Sequence, residues 1–176
     1  MNKTVSADAA AWAVVFQILA MTIKELNHLR TTADRLRALA PDLAWAESLE
    51  TDVARAEMLD AFVARFGRLQ DTLGDKLLPA LLRASQERIG PQLDNLLRAE
   101  KLGWIDSAER WIELRALRNR LVHEYVSSPA DLLQATHFAL DGEAILAETQ
   151  RRLAEYAQRY ADRGPQPPAP TPRAGG

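Results

Sequence analysis

The chain has 176 residues, with 22 Lys and Arg against 24 Asp and Glu, and no cysteine. A formal charge of −2 and a pI near 5.9 leave no broad basic face for nucleic acid, so any phosphate contact needs a local arginine cluster. The missing thiols exclude disulfides, thiolate metal sites and cysteine nucleophiles, and the length suits one domain with a substantial core.

The first helix is expected over residues 9–39. Trp12, Phe16, Leu19, Ile23 and Leu26 step by four, three, four and three, one stripe for burial. Pro41 disfavours a helical Ala40 and sets the stop. The apolar run 9–21, with Lys3 ahead of it, faintly resembles a signal peptide. Asp8 abuts the run, however, the stripe continues past it, and it falls short of the ~20 residues of a membrane span. A cytoplasmic protein without a membrane span is the expectation. His28 sits among polar residues with no ligand partner at helical spacing, which makes it a surface position.

A second helical stretch begins near Leu43, where Trp45, Leu49 and Val53 are spaced by four. It is expected to run into a third carrying Leu59, Phe62, Phe66, Leu69, Leu73 and Leu77. Asp42, Glu47, Glu50, Asp52 and Glu57 are irregularly spaced and lack a histidine beside them. They read as a solvated face, and neither a metal site nor a cofactor is expected. Gly67 and Gly74 are seven apart and share one face. Either they permit close approach of another helix, or they are simply tolerated at ~1 kcal/mol each. Pro79 should kink this helix, because it removes a backbone hydrogen bond and clashes one turn back. The helix is expected to stop at Gly90-Pro91.

Residues 91–100 read as a short helix with Leu93, Leu96 and Leu97 inward, followed by a turn through Gly103. Asp106-Ser-Ala-Glu109 fits a capping box, with Asp106 as N-cap of the next helix. That helix carries LRALRNRLVHEY, residues 114–125, and is expected to end near Ser127. Ser128 as N-cap, Pro129 at the first helical position and Asp131 near the positive helix end start the last helix. It should reach about Tyr160, with Leu132, Ala139, Leu146, Leu153 and Tyr160 seven apart. The fold expected is all-α: an antiparallel up-and-down bundle of four main helices plus short ones. A single domain would span residues 1–163, and residues 164–176 form a Pro-rich tail that packs no core.

The chemistry concentrates in 114–125. At about 100° per residue, Trp111, Leu114, Leu117, Leu121 and Tyr125 fall on one flank, the packing face. Asn119 and His123 point together along a neighbouring edge, with Arg115 close by. Arg118 lies about 140° from His123 on a straight helix, so one helix makes an incomplete site. A twofold axis bringing Arg118 of one protomer near His123 of its partner would complete it. Such a site suits phosphodiester cleavage without a metal. Histidine can take a proton from a ribose 2′-hydroxyl, and arginine offers paired donors to a phosphorane oxyanion. Asn119 could orient the imidazole or bind the phosphate. An Arg/Asn/His group on a helix edge is more often a structural polar cluster, so spacing alone does not decide. Tyr125 reads equally as a core tyrosine whose hydroxyl reaches solvent.

The run Arg118-Asn119-Arg-Leu-Val-His123-Glu-Tyr125 resembles the R-x4-H-x-Y motif of the HEPN superfamily, in particular HepT-like toxins. The likeness extends upstream through 103–115, and Arg65-Phe66 is similar to the Arg-Phe helix of related nucleotidyltransferase-partner proteins. It covers roughly residues 55–160. The resemblance implies a HEPN-like helical bundle that forms a homodimer with the motifs facing a shared cleft. It also implies a metal-independent endoribonuclease, paired with a minimal nucleotidyltransferase antitoxin. Arg118 and His123 would be catalytic, supported by Asn119. Arg115 and Arg120 are the expected RNA phosphate contacts. Tyr125 matches the tyrosine that the partner enzyme modifies with AMP. The alternative is a non-catalytic partner of a nucleotidyltransferase whose cleft holds a nucleotide or small substrate.

Overall fold

The computed structural model describes residues 2–122 and 128–163. Every regular element among the described residues is helical, as expected from the composition. In chain order these are α1 (Asn2–Ala38), α2 (Leu43–Ser48), α3 (Val53–Asp71), a π-helical segment (Thr72–Leu77), α4 (Leu78–Ala84), α5 (Gln92–Lys101), α6 (Ala108–Val122) and α7 (Pro129–Arg163). The tail from residue 164 lies outside the described residues.

α1 buries Trp12, Val15, Leu19, Thr22, Leu26, Leu29, Ala33 and Leu36. Two members of the expected stripe are corrected: Phe16 and Ile23 stay 36% and 50% exposed. The helical period accepts either neighbour of the 12–19–26 row, and packing against α3, α4 and α7 selects Val15, Thr22 and Leu29. Ala40, at φ 44°, turns the chain out of α1 just before Pro41. The helix extends well beyond the apolar run 9–21. From Asp8 to Ala38 it is long and apolar enough to cross a membrane, with mean hydropathy 1.5 over its most apolar window. Here its buried stripe belongs to the bundle core.

The second stretch does not run into the third. Asp42 and Asp52 each cap a helix, accepting from the Trp45 N–H at 2.7 Å and the Arg55 N–H at 3.1 Å. Two of the acids expected on a solvated face therefore start helices. Val53, the first residue of α3, is 68% exposed instead of extending the Trp45 row.

From Val53 to Ala84 the backbone is one helical rod with a π turn inside it. Leu59, Phe62, Phe66, Leu69, Leu73 and Leu77 are all buried along it, as the spacing predicts. Pro79 has no N–H to give to the carbonyl four residues back, and the rod meets this with wider hydrogen bonding just before it. The Leu78 N–H reaches the Leu73 carbonyl, five residues back. The rod also ends six residues before Gly90. Gln86, at φ 59°, closes it: the Glu87 N–H reaches the Leu82 carbonyl at 2.8 Å and the Gln86 N–H that of Arg83 at 3.1 Å.

On α5, Leu96 is buried but Leu93 and Leu97 face outward. Asn95 takes the inner position because its amide closes on the Gly90 backbone, accepting from the N–H at 2.9 Å and donating to the carbonyl at 3.0 Å. The capping box is also corrected. Ser107, not Asp106, caps α6, accepting from the Arg110 N–H at 3.2 Å, while the Glu100 carboxylate accepts from the Ala108 N–H at 2.7 Å. Asp106 instead pairs with Arg152 at 2.7 Å. Ser128 caps α7 as expected, accepting from the Asp131 N–H at 3.2 Å.

The long elements pack in antiparallel pairs. Trp12 stacks on Tyr160 near one end of the α1–α7 seam, and near the other end Arg37 donates to the Leu140 carbonyl. At that second end Arg37 also pairs with the buried carboxylate of Glu143, which Arg30 joins, so that charge is not left alone in the core. α6 packs on α3, α5 and α7, and α1 on α3, α4 and α7.

Candidate functional site

α6 is seated on three glycines. A Cβ at Gly74 would stand 2.9 Å from the ring of Trp111, and one at Gly142 only 2.5 Å from a methyl of Leu114. At Gly67 the neighbour is polar: a Cβ would lie 2.7 Å from Nε of Arg118. The seven-residue spacing of Gly67 and Gly74 is thus repeated, in reverse, by Arg118 and Trp111 across the seam. Of the two readings of these glycines, close helix approach is the one found.

The leucine flank behaves as the spacing predicts. Trp111, Leu114 and Leu117 are buried, and the Trp111 indole N–H donates to Thr149 Oγ1 at 3.3 Å. Leu121 is partly buried against the same core.

The polar edge is built from α6 and the rod. Arg118 lies along the seam with its side chain 27% exposed, and its Nη2 donates to Asp71 Oδ2 at 2.8 Å. Its Nη1 donates to Asn119 Oδ1 at 3.1 Å. Nearly one turn earlier, Arg115 makes a two-pronged contact with Asp75, Nη1 to Oδ1 at 3.1 Å and Nη2 to Oδ2 at 3.3 Å. Asp75 also accepts from the Gln92 amide. Asp71 ends α3 and Asp75 lies in the π segment, so the two carboxylates form a short acidic ladder opposite the two arginines.

Magnitudes bear on what this edge is for. An ion pair this exposed contributes ~0–1 kcal/mol to folding. A glycine inside a helix costs ~1 kcal/mol relative to alanine. The Gly67–Arg118–Asp71 arrangement therefore gives little or no net stability. What it does give is a fixed direction for one guanidinium, two of whose donors are committed within the chain.

The structure brings together Arg115, Arg118 and Asn119 of the expected site. Asn119 and Arg120 are exposed. His123 and Tyr125 lie outside the described residues. Arg65, matched to the Arg-Phe helix, points elsewhere, donating to the His28 carbonyl and the Thr32 hydroxyl on α1. The residues that sequence reasoning missed are Asp71 and Asp75. Their four-residue spacing on the glycine-bearing rod was the signal available. Among the described residues no group of His, Asp and Glu side chains is arranged to hold a metal ion.

A second charged cluster lies on α7. At the α6–α7 seam Arg152 joins Asp106 and Glu148, and Arg151 also binds Glu148. Hydrogen bonds from Arg151 and Arg152 hold the Glu148 carboxyl down to about 2. Burial raises the Tyr160 phenol, with Asp8 adding to the effect.

No family model matches the chain, and no curated protein or solved structure matches it either.

Proposed function

We propose that this chain is a HEPN-type toxin: a metal-independent endoribonuclease that acts as a homodimer in the cytoplasm. Arg118 and His123 carry the cleavage. Arg118 stabilises the charge that develops on the phosphorane, and His123 moves the proton of the attacking 2′-hydroxyl. Asn119 supports them, and Arg115 and Arg120 contact RNA phosphates. The partner that neutralises it is a minimal nucleotidyltransferase, which binds it and attaches AMP to Tyr125. An anionic nucleotide beside the motif would repel RNA and block access.

The observation that carries this reading is the placement of Arg118. Its guanidinium is held in a fixed direction beside Asn119, at the edge of α6 where the R-x4-H-x-Y resemblance puts the catalytic arginine. Preorganised donors of this kind contribute to rate because they need no reorganisation when charge develops. The test is RNA cleavage by the purified protein, together with growth arrest on expression. His123→Ala and Arg118→Ala should each abolish both while the fold is kept. Undiminished cleavage by His123→Ala would end the mechanism.

A second reading, a non-catalytic nucleotidyltransferase partner that holds a nucleotide or small substrate, is favoured by one specific fact. Both arginines of the edge already face carboxylates, Arg118 on Asp71 and Arg115 on Asp75, which lowers the local positive charge available to RNA. It predicts no cleavage by the pure protein at any salt concentration.

A further inference from the structure

We infer that Gly67 and Asp71 are positioning residues for Arg118: together they preset its guanidinium to receive a phosphodiester of RNA. The inference rests on the ribonuclease reading of the same site and extends it to residues outside the α6 motif.

Three facts support it. Gly67 leaves the space in which Arg118 lies, since a Cβ there would meet Nε at 2.7 Å and Cγ at 3.4 Å. Asp71, one turn further along α3, accepts from Nη2 at 2.8 Å, and Asn119 accepts from Nη1 at 3.1 Å. These two contacts engage one N–H on each terminal nitrogen and fix the plane of the guanidinium. Arginine carries five N–H donors, so donors remain for a phosphate. The carboxylate of Asp71 thus sets the plane without consuming the group.

The neighbouring pair supplies an internal comparison. Gly74 makes the same kind of room one heptad along, but for the ring of Trp111, a buried packing residue. If the glycines served only helix packing, changing either would have one kind of consequence, a loss of stability. If Gly67 positions Arg118, its change separates function from stability. Misplacing a reacting group by about an ångström can cost ~100-fold in rate.

The experiment follows the Arg118 side-chain Nε–H by nuclear magnetic resonance in the full-length protein. Wild type, Gly67→Ala, Asp71→Ala, Asp71→Glu and Gly74→Ala are titrated with a short RNA made uncleavable by 2′-O-methylation, and cleavage of unmodified RNA is measured in parallel. In wild type this proton should exchange with water more slowly than that of exposed Arg120, and its signal should shift on RNA addition. Gly67→Ala and Asp71→Ala should lose both behaviours and lower kcat by ~100-fold at little change in melting temperature. Asp71→Glu should recover part of the loss. Gly74→Ala should lower the melting temperature while retaining the RNA response of Arg118. Fast Arg118 exchange in wild type, no response of its signal to RNA, or a wild-type response in Gly67→Ala and Asp71→Ala would overturn the inference. A wild-type response without any cleavage would leave the positioning role standing and defeat the ribonuclease reading instead.

Discussion

The two flanks of α6 use one device for opposite ends. On the leucine flank, Gly74 and Gly142 let Trp111 and Leu114 sink into the core, where both are buried. On the arginine flank, Gly67 lets Arg118 lie just as close, yet what is admitted is a charge, part exposed and held by Asp71. The first seat contributes to stability through apolar burial, roughly 25 cal/mol per Å² removed from water. The second contributes almost nothing net, since its ion pair and its helix-interior glycine roughly offset. A glycine under a helix therefore does not reveal its purpose; the side chain placed over it does.

Substitutions that break the two seats should differ in kind. The largest effect on stability is expected for Leu114→Ala, which empties a fully buried position beside Phe66 and should cost about 2–5 kcal/mol in urea unfolding. Gly142→Ala comes next. It forces a methyl into the space of Leu114 and Phe66, and overpacking of this kind costs about 1–3 kcal/mol, measured the same way. Gly67→Ala should change stability by no more than about 1 kcal/mol, because the gain in helix propensity offsets a weakened surface pair. An unfolding cost for Gly67→Ala as large as that for Gly142→Ala would remove the distinction between the flanks.

The smallest effect concerns pH. The Glu148 carboxyl, normally near 4.5, is held down to about 2 by Arg151 and Arg152. A depressed folded-state value means the stabilisation is complete above the ordinary carboxylate range and is lost as pH falls from 4.5 toward 2. The difference in melting temperature between wild type and Glu148→Gln should therefore be present at pH 6 and shrink steadily through that window.

The sequence made the all-helical class readable, together with the buried row from Leu59 to Leu77, the Ser128 cap and the packing flank of α6. Each of these depends on neighbours within a few turns. What it hid depends on longer distances or on register. Arg118 and Asp71 are 47 residues apart, and Arg115 and Asp75 are 40 apart, so no local period connects them. The π segment also widens the turn that carries Asp75, a local departure that a regular α period does not announce. On α5, drawing the inner face through three leucines overlooked Asn95, whose amide satisfies the Gly90 backbone and so occupies the inner position. On α1, a three- or four-residue step from Trp12 fits the period equally, and only the neighbouring helices choose Val15 over Phe16. Half of the expected site could be placed on α6; that the two carboxylates of the rod face its arginines could not be read without the fold.

On the proposed function, the arginine flank of α6 serves RNA cleavage while its leucine flank serves the fold. The most direct measurement is RNA cleavage by wild type and Arg118→Ala, with urea unfolding of the same samples. Wild type should cleave, Arg118→Ala should not, and their stabilities should differ by no more than about 1 kcal/mol. Cleavage by Arg118→Ala at the wild-type rate, or a loss of activity that only tracks unfolding, would contradict the proposed function.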